Sequence, residues 1–380
     1  MVRTAESVRL AEYTTLGLGG PAGRFIAAAT EDELVAAVRA ADQAGEPLLV
    51  LGGGSNLVVA DKGFPGTVVQ VATRGVAAEV TGGSARVTVA AGEAWDAVVA
   101  WSVADALSGI ECLSGIPGLT GATPIQNVSA YGQEVAQTIM SVRVYDRRRD
   151  EVLELPAADC GFGYRTSTFK REMWPGPAAA QAASGAVCGR YVVLTVTFRL
   201  GADTLSAPIR YRELARALSV AEGERVPLAA AREAVLRLRR SKGMVVDPTD
   251  PDTRSAGSFF TNPVVSEAEF AVLAARAGQV GAKADGASET GQVPHWPEGG
   301  GRVKISAAWL IEHAGYTKGF RLCDDPGAPR ISTKHALALT NPAEGSTESL
   351  VRLAQEIRDG VLGTFGVQLA NEPVLVGVGL

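Results

Sequence analysis

The chain has 380 residues and is 46% hydrophobic, which excludes a disordered chain and leaves room for two or three domains of about 100–200 residues. It carries 44 glycines without a Gly-X-Y period, so a collagen-like chain is excluded as well. The formal net charge is −5 and the one tight basic run is Arg147-Arg148-Arg149, which argues against a nucleic-acid-binding protein.

In chain order, Thr30 to Glu33 reads as a capping box opening a helix that Gly45 stops. Pro47 to Leu51 is a short apolar strand running into Gly52-Gly53-Gly54-Ser55-Asn56, and Leu57 to Val59 and Thr67 to Val71 continue the strand signal. Residues 85–91 alternate as a strand, and Ala94 to Leu107 reads as a helix with Gly109 as its stop. Residues 114–132 are loop-like. Ser141 to Asp146 and Glu151 to Leu155 form a strand pair around the arginine run, which is expected to be a solvated hairpin tip. Ala178 to Gly189 reads as an exposed insertion, and Tyr191 to Leu200 as a strong strand. Helices follow at Pro227 to Lys242, from a second capping box at Ser266 to Glu269, at Ser306 to His313 and at Ser346 to Val361, before a final strand from Val374. Strands and helices alternate irregularly and include hairpins, so the fold class is α+β and not a uniform doubly wound sheet.

Cys112, Cys160, Cys188 and Cys323 form no CxxC pair, and His295, His313 and His335 form no HExxH, so reduced thiols and no metal site are expected. Glu6 and Glu12 interrupt the start of the chain, and the longest uncharged stretch, Pro47 to Ala60, is broken by three glycines. A cytoplasmic protein with no membrane insertion is expected.

Five segments could carry chemistry. Gly52 to Asn56 follows a strand directly, so its backbone N–H groups can form a concave nest for phosphate; alone it also suits a plain tight turn. It lacks the Lys-Ser/Thr of a Walker A loop and the GxGxxG of a Rossmann site. Ser114 to Gly132 combines glycines, prolines and the Gln126-Asn127 amides, which suit the edge of a flat heteroaromatic ring or a structural connector. Phe162 to Lys170 contains Arg165, able to clamp a carboxylate or to make a structural ion pair. Gly257-Ser258-Phe259-Phe260 offers a proton donor in a dry pocket, without the GxSxG elbow of a hydrolase. Asn371-Glu372-Pro373 places a carboxylate beside the last strand.

Taken in this order, from Thr14 to Gly377, the five segments resemble the UDP-N-acetylenolpyruvoylglucosamine reductases, the flavoenzyme family of peptidoglycan precursor synthesis and cell-wall construction. The resemblance implies an FAD-binding domain of the vanillyl-alcohol-oxidase (PCMH) type, built from two α+β subdomains at 1–72 and 73–205. A C-terminal α+β substrate-binding domain would cover 206–380, with its last strand returning to the active site. It implies FAD pyrophosphate on Gly52, Gly53, Gly54, Ser55 and Asn56. The rest of FAD would lie on Gly115, Pro117, Gly118, Gly121, Gln126, Asn127, Ala130, Tyr131 and Gly132. No histidine precedes position 295, so the FAD is expected to be non-covalent.

The implied reaction takes hydride from NADPH to flavin N5 and then to the vinyl C3 of UDP-N-acetylglucosamine enolpyruvate, yielding UDP-N-acetylmuramate. Ser258 would protonate C2. Arg165 would stabilise the enolate, and Glu372 would support that arrangement. Tyr211 matches the tyrosine that closes over the substrate diphosphate in one subclass. Arg239 and Lys242 match cationic positions near that diphosphate, and Asn262 matches a polar substrate contact. No nucleic acid and no obligate protein partner are implied. Ser129 stands where many relatives have glycine, Gly161 where some have arginine, and Thr261 where lysine is common; the 331–335 stretch, with His335, also differs from the commonest form. An FAD-dependent oxidase or dehydrogenase of the same fold, acting on an alcohol or sugar, is the alternative enzyme and would need neither Ser258 nor Glu372. A non-catalytic uridine-nucleotide-binding module would be expected to have lost Ser258 or Arg165.

Overall fold

A computed structural model describes residues 3–5, 8–172, 188–281, 292–343 and 345–380. Most of the insertion expected at 178–189 lies outside them, as does Gly286. The chain divides into two compact units. The first comprises residues 1–13, 20–55 and 62–246, and the second residues 14–19, 56–61 and 247–380.

The two larger sheets of the first unit share a core. Strands β1 (Arg3–Ala5), β2 (Ala22–Ala28), β3 (Leu48–Leu51) and β5 (Phe64–Val71) run in the spatial order β1-β2-β5-β3, with β5 parallel to both β2 and β3. The second sheet, all antiparallel, is built from β6 (Val76–Thr81), β7 (Ser84–Ala90), β11 (Ile139–Asp146), β12 (Glu151–Pro156) and β13 (Tyr191–Ala202), in the order β12-β11-β13-β7-β6. Alternation places Val87 and Val89 of β7 and Val196 and Phe198 of β13 in the core, beside Leu34 and Val38 of helix α1 (Glu31–Ala44). The N-terminus of α1 is fixed by Thr30, whose Oγ1 accepts from the Glu33 N–H at 3.2 Å. The Glu33 carboxylate reaches back to the Ala29 N–H at 3.0 Å, one residue earlier than the ideal box.

Two local expectations are corrected. Helix α2 (Trp95–Ala104) stops short of Leu107. Ala106 turns left-handed at φ 56°, and Leu107–Ser108, as β8, pairs with the end of β13. The start of the arginine run is not solvated: the Arg147 side chain is fully buried and pairs with Asp42 at 2.6 Å, because Asp42 sits on the inward face of α1. Only Arg148 and Arg149 are exposed.

The division near 205/206 also differs from the structure, which places the break at 246/247. Helices α4 (Arg212–Leu218) and α5 (Leu228–Ser241) belong to the first unit. Their Leu214, Ala231 and Val235 bury against Cys112 and Ile209, with Tyr131 packed alongside. Arg232 of α5 grips Asp96 of α2 at 2.6 and 3.0 Å.

The second unit gathers distant segments. Strand β4 (Leu57–Val59), which follows the glycine loop, pairs in parallel with the last strand β20 (Val374–Val376), so it does not continue the first sheet as its sequence position suggests. Strands β14 (Ser255–Ser258), β18 (Arg330–Ile331) and β19 (Ala338–Thr340) form one sheet. Strands β15 (Val264–Ser266), β16 (His295–Gly299) and β17 (Arg302–Ile305) form another. Helices α6 (Glu267–Gly281), α7 (Ala307–His313) and α8 (Thr347–Phe365) complete it. Leu350, Leu353, Ile357, Val361 and Phe365 make a stripe on α8 that packs in one core with Phe259, Phe260, Ile305 and Leu310. Among the described residues no helix is long and apolar enough to cross a membrane, and no group of three or more His, Cys, Asp or Glu could hold a metal.

Candidate active site

In the first unit the glycine loop Gly52–Ser55 lies against residues 117–119. A Cβ added at Gly53 would stand 2.7 Å from Gly118 Cα, and one at Gly118 would stand 2.7 Å from Ser55 Oγ. Only glycine lets two backbones come this close. Ser55 Oγ donates to Pro117 O at 3.1 Å and ties the loops together. Among the described residues, the backbone N–H groups of Gly52, Gly53, Gly54 and Ser55 donate to no other group in the protein. Four uncommitted donors in a glycine turn are what an oxyanion such as a pyrophosphate requires. The start of the second loop is set by Asp96, a residue that sequence reasoning missed. Its Oδ1 accepts from Gly115 N at 2.6 Å. Burial works to raise the Asp96 carboxyl, yet the Arg232 fork and the Gly115 N–H hold it below its ordinary value. Gly121 serves packing, since a Cβ there would stand 2.6 Å from that of Ala91.

Further along, residues 125–129 and 163–170 are stitched side by side. Ser167 Oγ donates to Ile125 O at 2.6 Å, and Lys170 Nζ to Gln126 Oε1 at 2.9 Å. Asn127 Nδ2 donates to Gly163 O at 3.1 Å, and Arg165 Nη1 to Ser129 Oγ at 3.1 Å. Among the described residues the Gln126 amide N–H groups donate to no other group. The buried Asn127 amide, expected to lie along a flavin, is hydrogen-bonded within the protein. Besides Gly163 it donates to Glu134 Oε2 at 2.9 Å, and its Oδ1 accepts from Ala136 N at 3.1 Å. Ala130 sits beside it in a two-residue strand, β9 (Ser129–Ala130). Lys170, whose partners make it part of this stitching, lay inside a segment the sequence singled out, but nothing in the spacing marked it.

Three of these residues have left-handed backbones: Asn127 at φ 46°, Tyr131 at 49° and Arg165 at 51°. Non-glycine residues in this region cost energy and persist where the surroundings over-determine them, as at functional sites.

Tyr131 is the hub of a third group. Its ring meets that of Tyr211 edge-on at 5.5 Å, and Lys242 Nζ stands 5.8 Å from its centroid. Gly132, at φ 83°, makes the left-handed turn beside Tyr211. Burial pushes the Tyr131 phenol up to about 12. Lys242 is held by Glu213 at 2.8 Å. Arg239 packs beside Gly115 and donates through Nη2 to Met244 O at 2.7 Å, while its buried Nε has no partner among the described residues. Burial lowers its pKa to about 10; Tyr131 and Asp96 oppose the drop and the like charge of Arg165 adds to it. A buried guanidinium with an unused donor and a second arginine nearby is a place that favours an anion.

In the second unit Ser258 ends β14, and Glu372 lies two residues before β20. Glu372 N donates to Phe259 O at 2.8 Å, so the two residues are neighbours through Phe259. Asn56 Nδ2, in the same unit, donates to Glu372 O at 3.4 Å. Ser258 Oγ makes no hydrogen bond among the described residues. Asn262 Oδ1 accepts from Ala307 N at 2.9 Å at the start of α7, and among the described residues its amide N–H groups donate to no other group. Of the expected residues, Arg165, Tyr211, Arg239 and Lys242 thus belong to the first unit, and Asn56, Ser258, Asn262 and Glu372 to the second.

Comparison with known proteins agrees with both halves. Residues 22–155 match the FAD binding domain family, and residues 247–376 match the family described as UDP-N-acetylenolpyruvoylglucosamine reductase, C-terminal domain. The chain is 55% identical to the UDP-N-acetylenolpyruvoylglucosamine reductase of Thermobifida fusca over 99% of both chains. It is 54% identical to that of Streptomyces coelicolor, over 100% of this chain and 93% of the relative. The crystal structure of UDP-N-acetylenolpyruvylglucosamine reductase from Thermus caldophilus shares the fold, with a TM-score of 0.59 at 22% identity over 99% of this chain and 100% of that one.

Proposed function

The chain belongs to the UDP-N-acetylenolpyruvoylglucosamine reductase family, and from that premise we propose how its own residues divide the reaction. The reaction is the FAD-dependent reduction of UDP-N-acetylglucosamine enolpyruvate by NADPH in peptidoglycan precursor synthesis. Bound FAD supplies the two-electron relay from NADPH to the vinyl group. The uncommitted N–H groups of Gly52 to Ser55 hold its pyrophosphate, and the close approach of Gly53 to Gly118 supports that assignment. Gln126 presents amide donors to the ring edge, its oxygen being taken by Lys170.

Arg165 faces the carboxylate of the enolpyruvyl group and stabilises the negative charge that develops there. Ser258 gives the proton to C2. A serine hydroxyl is a weak acid, so its proton is replaced through water. Glu372 keeps the Ser258 strand and its own carboxylate in register. Tyr211 and Lys242 take the diphosphate, in the manner of the subclass with a closing tyrosine, and Arg239 takes an anionic group of the substrate. Asn262 contacts the substrate through its free amide N–H groups. We place the reaction in the cytoplasm without an obligate protein partner. Three of the four free thiols, Cys112, Cys160 and Cys188, are buried, which suits a reducing compartment.

The observation that carries this reading is the uncommitted Ser258 hydroxyl one residue from the carbonyl that anchors Glu372. An oxidase of an alcohol or sugar needs neither group. The test is anaerobic. FAD-loaded protein is bleached by NADPH, and UDP-N-acetylglucosamine enolpyruvate then restores the colour without oxygen. A protein that stays bleached until oxygen is admitted contradicts the proposal.

A further inference from the structure

We propose that Lys170 is a positioning residue that fixes the backbone of Arg165 in register with Gln126. The proposal rests on the reading that Arg165 acts on the substrate.

Lys170 Nζ donates both to Gln126 Oε1 at 2.9 Å and to Arg165 O at 3.2 Å. One ammonium therefore joins the segment assigned to the cofactor and the main chain of the residue assigned to the substrate. The join matters because Arg165 stands at φ 51°, a conformation an arginine holds only under constraint. Its side chain is steadied at the far end by Ser129 Oγ at 3.1 Å. The Lys170 contact acts at the near end, on the peptide that sets where the side chain starts.

Lys170 is itself well anchored. It lies on α3 (Thr168–Arg171), a single turn whose first residues are held by Ser167. The Ser167 hydroxyl accepts from Lys170 N at 3.3 Å and donates to Ile125 O at 2.6 Å. The preceding Phe169 is buried at 2% exposure, with its ring 6.0 Å from that of Tyr191 and 6.5 Å from that of Phe162. The turn cannot drift without emptying that position, so the ammonium is delivered to a fixed point. By taking the Gln126 oxygen it also turns that amide so that it offers N–H groups alone.

The test uses FAD-loaded full-length protein, with the two half-reactions followed separately under anaerobic conditions. Lys170→Met should slow reoxidation by UDP-N-acetylglucosamine enolpyruvate by about tenfold or more, as expected when a reacting group is displaced. Reduction by NADPH should change by less than about twofold, and Lys170→Arg should recover most of the lost rate. Equal slowing of both halves or unchanged reoxidation would overturn the proposal. Where Lys170→Met does not retain FAD, Lys170→Gln, which keeps an N–H donor, carries the same test; loss of FAD in both would also overturn it. Wild-type protein that fails to reoxidise with this substrate would instead defeat the underlying reading of Arg165.

Discussion

Arg239 is the residue at which stability and function pull apart. Its folded pKa, about 10, lies below the ordinary arginine value because burial disfavours the charged form. Holding that charge costs stability at every pH below about 10, and the cost fades as pH rises through that value. An anion bound beside it would offset the same cost. Arg239→Met removes the buried charge at the expense of one hydrogen bond to Met244 O. We expect its thermal midpoint at neutral pH to be preserved, while KM for the enolpyruvyl substrate rises about tenfold or more. A lower midpoint with unchanged KM, read by thermal unfolding and steady-state kinetics, would make Arg239 structural. This residue stood out in the sequence only by resemblance; its unused donor and its proximity to Arg165 depend on where α5 packs. Asn127 shows the opposite case. Its amide looks suited to a flavin in the sequence, yet its partners Gly163, Glu134 and Ala136 come from other segments and consume it.

At the scale of elements, the glycine loop and the 115–119 loop act as one piece because their backbones touch. Gly53→Ala places a methyl group 2.7 Å from Gly118 Cα, against backbone that has no rotamer to change. The variant should retain FAD about tenfold less well or worse, measured as the flavin-to-protein ratio after desalting. Gly278, on α6 with open space around it, is the control. Gly278→Ala should leave flavin retention unchanged and stabilise the protein by about 0.5–1 kcal/mol. Equal retention in the two variants would detach the loop pair from cofactor binding. Helix α1 was legible because cap, apolar stripe and stop lie within one contiguous segment, whereas α8 runs on to Phe365, past the expected Val361. The end of α2 was not, because it is set by pairing of Leu107–Ser108 with β13 nearly a hundred residues later. Arg147 misled for the same reason, its counter-ion being on α1.

For the whole molecule, the family was readable because each motif is a short contiguous run and their joint order carried the resemblance. The division into two units was not readable, since residues 56–61 fold with a strand at 374–376 and residues 206–246 fold with the first unit. Of the residues proposed to be catalytic, Arg165 lies in the first unit and Ser258 and Glu372 lie in the second. We propose that Ser258 serves only the step in which substrate takes up hydride and proton. The most direct measurement is stopped-flow absorbance of FAD-loaded Ser258→Ala, with each half-reaction observed alone. The account predicts NADPH reduction within about twofold of wild type and reoxidation by UDP-N-acetylglucosamine enolpyruvate slower by about a hundredfold or more. Reoxidation at the wild-type rate, or equal slowing of both halves, would contradict it.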